Sequence, residues 1–272
     1  DPSITYEDIK NWFNKNFVRK TNLRGYNSFI ASEPYEEFQM DLFFINDLEN
    51  QDYKIGLLMV DIFSKYMTVI PLKTKQPDDV LQGIKDGITN MGGKPLVFYT
   101  DEEGSLNSKL IQQYFNDNHI QHIITRGHAA VAERSIRTIK DLIYRRIDQN
   151  PDSQWTDAKI LANALTNYNY RMKHRMTNMT PNQARDKKNI LEAKTNQELH
   201  RISKRKYPEI SVGSSVRIYT KKRNFQKERK PVWSEHIYKV DEITENFKQQ
   251  FYHIEGRDKP LLRHELLLVP GD

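Results

Sequence analysis

Residues 37–72 read EFQMDLFFINDLENQDYKIGLLMVDIFSKYMTVIPL. Apolar and aromatic runs at 37–45, 54–62 and 65–71 are separated by a polar turn at 46–51 and a tight one at 63–65. Short runs bounded by turn residues predict three antiparallel strands in a meander. Working outward, residues 77–90 read as a helix with Pro77 and Asp78 near its start. LVFYT at 96–100 reads as a fourth strand, 106–118 as a helix and IQHIIT at 120–125 as a fifth strand. Three antiparallel strands followed by helix, strand, helix, strand and helices predict a mixed α/β sheet whose later strands are joined by helical crossovers.

Asp41, Asp101 and Glu133 stand out against this plan. Asp41 lies within FQMDLFFI, Asp101 ends LVFYTD, and Glu133 opens a helical pattern in HAAVAERSIRTIK. The chain has 36 acidic residues, so the choice rests on their neighbours. An aspartate inside an apolar strand is costly unless it is paired or bound to a metal. Carboxylate oxygens are the ligands that Mg²⁺ and Mn²⁺ prefer, and two such ions can drive an in-line displacement at phosphorus. Asp61 also ends an apolar run, LLMVD, and competes with Asp41; a hydrogen-bonded aspartate at a turn explains it better. Glu102 and Glu103 are minor rivals of Asp101.

The helix expected over 131–147 carries Ile136, Ile139, Ile143 and Ile147 on one stripe, which should pack on the sheet. Glu133, Arg137, Lys140 and Tyr144 form the adjoining stripe. Its cations suit a phosphate backbone lying along the helix; ordinary Glu–Arg pairing is the bland alternative. Residues 157–172 form another amphipathic helix, suited to internal packing or to pairing with a second copy.

These motifs resemble the retroviral-type integrases and their transposon relatives, most closely those of the Maverick/Polinton class and related virophages. The resemblance is carried by QMDLF, KIGLLMVDIFSKYMTVIPL, YTDEEGSLNSKL, HAAVAERSIRTIK and the YN…H…TP segment in NYNYRMKHRMTNMTPNQAR. It implies a ribonuclease H-like core in which Asp41, Asp101 and Glu133 ligate Mg²⁺ or Mn²⁺, two ions per active site. It also implies 3′-end processing and strand transfer on double-stranded DNA, by a homodimer or homotetramer, in the nucleus of a eukaryotic host cell or in a virion. An inactive domesticated DNA-binding protein and a nuclease without strand transfer are the competing readings. Two departures stand against the pattern. Only 31 residues separate Asp101 from Glu133, a few fewer than usual, so TRGHAAVAE replaces a longer Gly-rich loop. DEEG also carries an extra acid.

Composition sets the remaining bounds. The chain has 272 residues, a net charge of +6 and no cysteine. Disulfides and thiolate zinc sites are excluded, including the His₂Cys₂ module of many integrases within these residues. His119 and His122 lack a metal-site partner pattern and read as surface or packing histidines. No apolar run approaches a membrane span. Nothing at the start resembles a signal peptide, and the chain, beginning at Asp1, reads as a trimmed, processed or engineered piece.

Residues 4–20 predict an amphipathic docking helix with Ile9, Trp12, Phe13 and Phe17 on one face and an N-cap at Thr5 with Asp8. Residues 186–230 hold 14 Lys and Arg against 5 Asp and Glu, which suits a DNA partner or a solvated linker. From Ser211, SVRIYT, IYKVDEIT, QFYHIE and ELLLVP read as short strands similar to the SH3-like barrel at integrase C-termini. KKRNFQKERKPVW adds Lys221, Lys222 and Arg223 as candidate DNA contacts beside Arg137 and Lys140. The expected division is 1–35 helical segment and linker, 36–185 catalytic core, 186–210 charged linker and 211–272 DNA-binding domain.

Overall fold

The computed structural model describes residues 4–16, 31–101, 104–125, 129–200, 208–220, 233–246 and 249–269. The chain forms two compact units, one spanning Ile30–Arg201 and the other Asp1–Phe29 with Ile202–Asp272. Helix α1 (Tyr6–Asn16) belongs to the latter.

The larger unit is built on a five-stranded sheet in the order β3-β2-β1-β4-β5. Strands β1 (Glu37–Phe44), β2 (Ile55–Asp61) and β3 (Met67–Leu72) form the expected antiparallel meander. Helix α2 (Pro77–Met91) crosses over to β4 (Val97–Asp101), which pairs parallel with β1. Helix α3 (Lys109–Asp117) leads to β5 (Gln121–Thr125), parallel to β4. Pro71, which has no N–H to give a neighbour, sits on edge strand β3.

Alternation along the strands divides the sheet into two faces. Phe38, Met40, Leu42, Leu57, Met59 and Phe98 pack with Val80 and Ile84 of α2 and Ile111 and Phe115 of α3. The rings of Phe38 and Phe98 meet edge-on at 6.0 Å between centroids, joining β1 to β4 in this layer. Residues 37, 39, 41 and 43 therefore face the other side. There the Phe43 ring meets Trp155 at 6.0 Å. It lies so close over Gly56 that a Cβ at that position would collide with it.

The second face carries α4 (Ala130–Gln149) and a helical run, α5, over 158–171. In α5, π turns at Ala158–Ala162 and Asn167–Arg171 flank an α turn at Asn163–Thr166. Ala132, Ser135, Ile139, Ile143 and Ile147 are the buried stripe of α4. Ile136, expected in that stripe, is only half-buried, because the small Ala132 and Ser135 take the close-packed places near the helix start. A short helix α6 (Pro181–Ala184) begins with a capping box between Thr180 and Gln183. Helix α7 (Ile190–His200) lies in the stretch read as charged linker, yet it docks on this unit. Gln197 Nε2 donates to Phe63 O at 3.2 Å and Asn196 Nδ2 to Thr177 O at 2.8 Å.

In the smaller unit, Thr5 and Asp8 cap α1 reciprocally: Asp8 N–H donates to Thr5 Oγ1 (3.2 Å) and Thr5 N–H to Asp8 Oδ2 (2.8 Å). Ile9 and Trp12, expected on a docking face, are 56% and 59% exposed; Phe17 lies outside the described residues. The C-terminal part is an antiparallel sheet of β6 (Ser215–Ile218), β7 (Tyr238–Asn246), β8 (Gln249–Ile254), β9 (Leu261–Leu262) and β10 (Leu266–Leu268). Its order is β10-β6-β7-β8-β9, and the two-residue β9 has no counterpart in the sequence reading. Val216, Ile218, Val240, Tyr252, Ile254, Leu261 and Leu266 form its core. Among the described residues, no helix is long and apolar enough to cross a membrane.

Candidate active site

The register of β1 on β4 places the two aspartates. Glu37 pairs with Val97, Phe38 with Phe98 and Gln39 with Tyr99. The ladder ends there; Asp41 and Asp101 each follow the Gln39–Tyr99 pair by two residues on their own strands, which by alternation puts both on the α4 face of the sheet. Asp101 is the last residue of β4, opposite Thr125 of β5. Both carboxylates are half-buried at the carboxyl end of a parallel pair, where α/β sheets present ligand sites.

The end of β4 is braced from the opposite face. His122 lies between Thr100 Oγ1 (2.8 Å from Nε2) and Gln112 Nε2 (2.6 Å from Nδ1), and its ring stacks edge-on with Phe115. Burial holds its pKa down to about 4. His122 is thus the packing histidine expected. His119 sits in the turn after α3 at φ 54°.

Glu133 comes from the first turn of α4, which lies along β1 in the same direction. Three contacts fix that alignment. Gln39 Oε1 accepts the N–H groups of Val131 (3.1 Å) and Ala132 (3.2 Å). Lys140 Nζ donates to Phe44 O at 2.9 Å. Tyr144 OH donates to Asp47 Oδ1 at 2.6 Å. Glu133 falls between the first and second contacts on the helix, as Asp41 does on the strand. Its Oε2 is 3.9 Å from Arg137 Nη2, and the Arg137 side chain is 79% exposed. Among the described residues, no group of three or more His, Asp or Glu side chains is gathered closely enough to hold a metal ion. The topology puts Asp41, Asp101 and the first turn of α4, which carries Glu133, on the same face of the sheet, without drawing the three into one cluster.

The other candidates fall as follows. Lys140 is half-buried and occupied by Phe44 O, with its ammonium 5.5 Å from the Tyr144 ring. Arg137 points to solvent. Lys221, Lys222, Arg223, Glu102 and Glu103 lie outside the described residues. Asp61 is buried and accepts from Phe63 N (3.0 Å), Ser64 N (3.4 Å) and Ser64 Oγ (2.5 Å), the turn aspartate expected.

Behind the row Glu37–Gln39–Asp41 sits a buried charged cluster that sequence reasoning missed. Burial pushes Glu37 up to about 7 and Asp61 up to about 6, and pushes Lys65 down to about 8. Lys65 has φ 66° and donates to Ile62 O at 2.5 Å. The signal was an acid, an acid and a lysine in otherwise apolar strands and turns. Their convergence needs the β1–β2 pairing.

No family model matches the chain. It is 26% identical over 142 residues to the retrovirus-related Pol polyprotein from transposon 297 of Drosophila melanogaster, a match covering 52% of this chain and 13% of that protein. It is 22% identical over 111 residues to a putative uncharacterized transposon-derived protein of Caenorhabditis elegans, covering 40% of this chain and 39% of that one. The chain therefore spans well under half the length of either curated relative. Among solved structures, the HTLV-2 integrase catalytic core domain in complex with magnesium superposes with a TM-score of 0.50 at 21% identity, over 57% of this chain and 98% of that one. A simian T-cell lymphotropic virus intasome in complex with PP2A regulatory subunit B56 gamma matches with a TM-score of 0.68 at 16% identity, over 99% and 93%. The fold is that of a retroviral integrase core.

Proposed function

We propose that the chain is a retroviral-type DNA integrase that processes the 3′ ends of element or viral DNA and joins them to target DNA. The observation that carries this reading is that Asp41 and Asp101 lie on adjacent parallel strands, on the face of the sheet covered by the helix whose first turn holds Glu133. The integrase-core fold and the homology to a transposon Pol polyprotein support it. The motif likeness to Maverick/Polinton integrases gives the narrower assignment.

The donor set fits hard divalent cations: carboxylate oxygens on half-buried residues, with no thiolate. Asp41, Asp101 and Glu133 would hold Mg²⁺ or Mn²⁺, two ions per site, as the magnesium in the HTLV-2 core supports. Bound there, the ions would activate the attacking oxygen and stabilise the leaving one. Water is the nucleophile in end processing and the freed 3′-hydroxyl in joining, so one site serves both. Arg137 is the better placed of the two helix cations for phosphate, since Lys140 is committed to Phe44 O. Lys221, Lys222 and Arg223, with the C-terminal sheet as an SH3-like module, add duplex contacts. Two DNA ends require at least two protomers, and the intasome likeness supports a dimer or tetramer. The reaction places the protein with the DNA of a eukaryotic nucleus, or in a virion.

The test is a strand-transfer assay with element-end duplex and Mg²⁺ or Mn²⁺. Joined products are expected. Cleavage without joining would make the chain a nuclease, and binding without either would make it an inactive DNA-binding protein.

A further inference from the structure

Helix α4 begins without a cap of its own. Its N-cap residue is Ala129, which offers no side-chain hydrogen bond to the first turn. Alanine is among the poorest residues for this place, because the N–H groups of the second and third helical residues need an acceptor. In α4 those residues are Val131 and Ala132, and both N–H groups go to Gln39 Oε1, at 3.1 and 3.2 Å. A strand residue 92 positions upstream thus takes the place of a helix cap.

The amide of Gln39 cannot be turned the other way. Backbone N–H groups are donors, so the atom facing them must be the oxygen. The NH₂ group is then left on the side away from α4, and Gln39 is among the groups that act on the buried Glu37, two residues back on the same strand face. Glu37 is buried beside Lys65 and Asp61, so its own position is fixed. The contact from Gln39 runs to the first turn of α4. It ends one residue before Glu133, and Gln39 is two residues before Asp41 on the same strand face.

We propose that Gln39 is a positioning residue that caps α4 from β1 and thereby sets Glu133 against the Asp41–Asp101 pair. This rests on the metal reading of the three carboxylates. An outer partner that orients a ligand is worth about 10–100-fold in metal affinity or activity when removed.

The test uses the full chain and Mn²⁺ alone as the probe. Gln39→Leu keeps bulk in the strand and removes the acceptor. The double variant Glu37→Gln with Gln39→Glu exchanges the two roles. The amide introduced at position 37 donates, and the carboxylate introduced at position 39 accepts from α4, with the charge of the pair unchanged. Amide hydrogen exchange reads Val131 and Ala132 directly, thermal unfolding reads global stability, and titration reads Mn²⁺ affinity. Gln39→Leu is expected to lose protection at those two amides and to bind Mn²⁺ about 10–100-fold more weakly. The exchanged pair should recover most of both. Unchanged protection in Gln39→Leu, or lost protection with wild-type Mn²⁺ affinity, overturns the proposal. Absence of Mn²⁺ binding in the wild-type chain would overturn the metal reading itself, an outcome distinct from equal binding by wild type and variant.

Discussion

The side-chain amide of Asn169 pairs with the backbone of Met67 in both directions. Its Oδ1 accepts the Met67 N–H at 3.0 Å and its Nδ2 donates to the Met67 carbonyl at 2.8 Å. The YN…H…TP segment thus closes the start of edge strand β3 as a further strand would. Exposed strand edges are templates for unwanted pairing, and a side chain that mimics a ladder partner removes one. His174 continues the segment by bridging to Met179 and accepting from Met176 N on Nδ1 (3.3 Å).

Asn169→Leu should leave both Met67 groups buried and unpaired. A loss of about 2–4 kcal/mol is expected, from two buried groups at roughly 1–3 kcal/mol each. Urea denaturation monitored by tryptophan fluorescence measures it. A change below about 0.5 kcal/mol would mean that water replaces the amide without cost.

Asp41→Asn, Asp101→Asn and Glu133→Gln should each abolish cleavage and joining while leaving duplex affinity largely intact, since each keeps shape and removes charge. Asp61→Asn should instead lower thermal stability, because an amide cannot accept from both Ser64 and Phe63 as the carboxylate does, and it should stay active per folded molecule. Activity in Mg²⁺ at the wild-type level for any of the first three would remove that residue from the ligand set.

Truncation separates the core from the basic C-terminal part. A cut after Arg185 removes α7 and strips Phe63 O and Thr177 O of their donors, so it should destabilise the core. A fragment covering 30–201 keeps α7 and should fold. It should bind duplex DNA more weakly and with a flatter salt dependence. Each lost phosphate contact takes about 0.9 from the slope of log K against log salt, so four contacts flatten it by roughly 3–4. Equal slopes for fragment and full chain would make the basic stretch a solvated linker.

Stability should respond to pH through Glu37. Folded, it keeps its proton to about pH 7, against an ordinary value of 4.5. Between these values the folded state binds more protons, so this contribution is fully present below 4.5 and is lost as pH rises through 7. Asp61 behaves alike between 3.8 and about 6, whereas His122 and His174, held at about 4, act in the opposite sense. The difference between wild type and Glu37→Gln isolates the first group, which faces Gln39, Lys65, Glu36 and Asp61. The variant should gain on wild type by on the order of 1–3 kcal/mol as pH rises from 4.5 to 7. A difference that stays flat across that window would show Glu37 titrating at its ordinary value.

The sequence by itself determined the succession of elements from β1 to α4, because strand and helix periods and turn residues act over a few residues, as does the Thr5 cap of α1; the two-residue β9 is too short to leave such a pattern. It also marked Asp41 and Asp101, since a carboxylate ending or interrupting an apolar run is a local anomaly, whereas Glu133 was singled out at the start of a helical pattern and by the resemblance to integrases. Only the tertiary structure decided what those residues meet. The parallel pairing of β1 with β4 puts Asp41 and Asp101 on one face of the sheet, each two residues past the Gln39–Tyr99 pair. Gln39 reaches α4 across 92 positions, Lys140 reaches β1 across 96, and Asn169 reaches Met67 across 102. No local pattern encodes such pairings, because each depends on which buried donor and acceptor groups are brought together when the two faces of the sheet are covered.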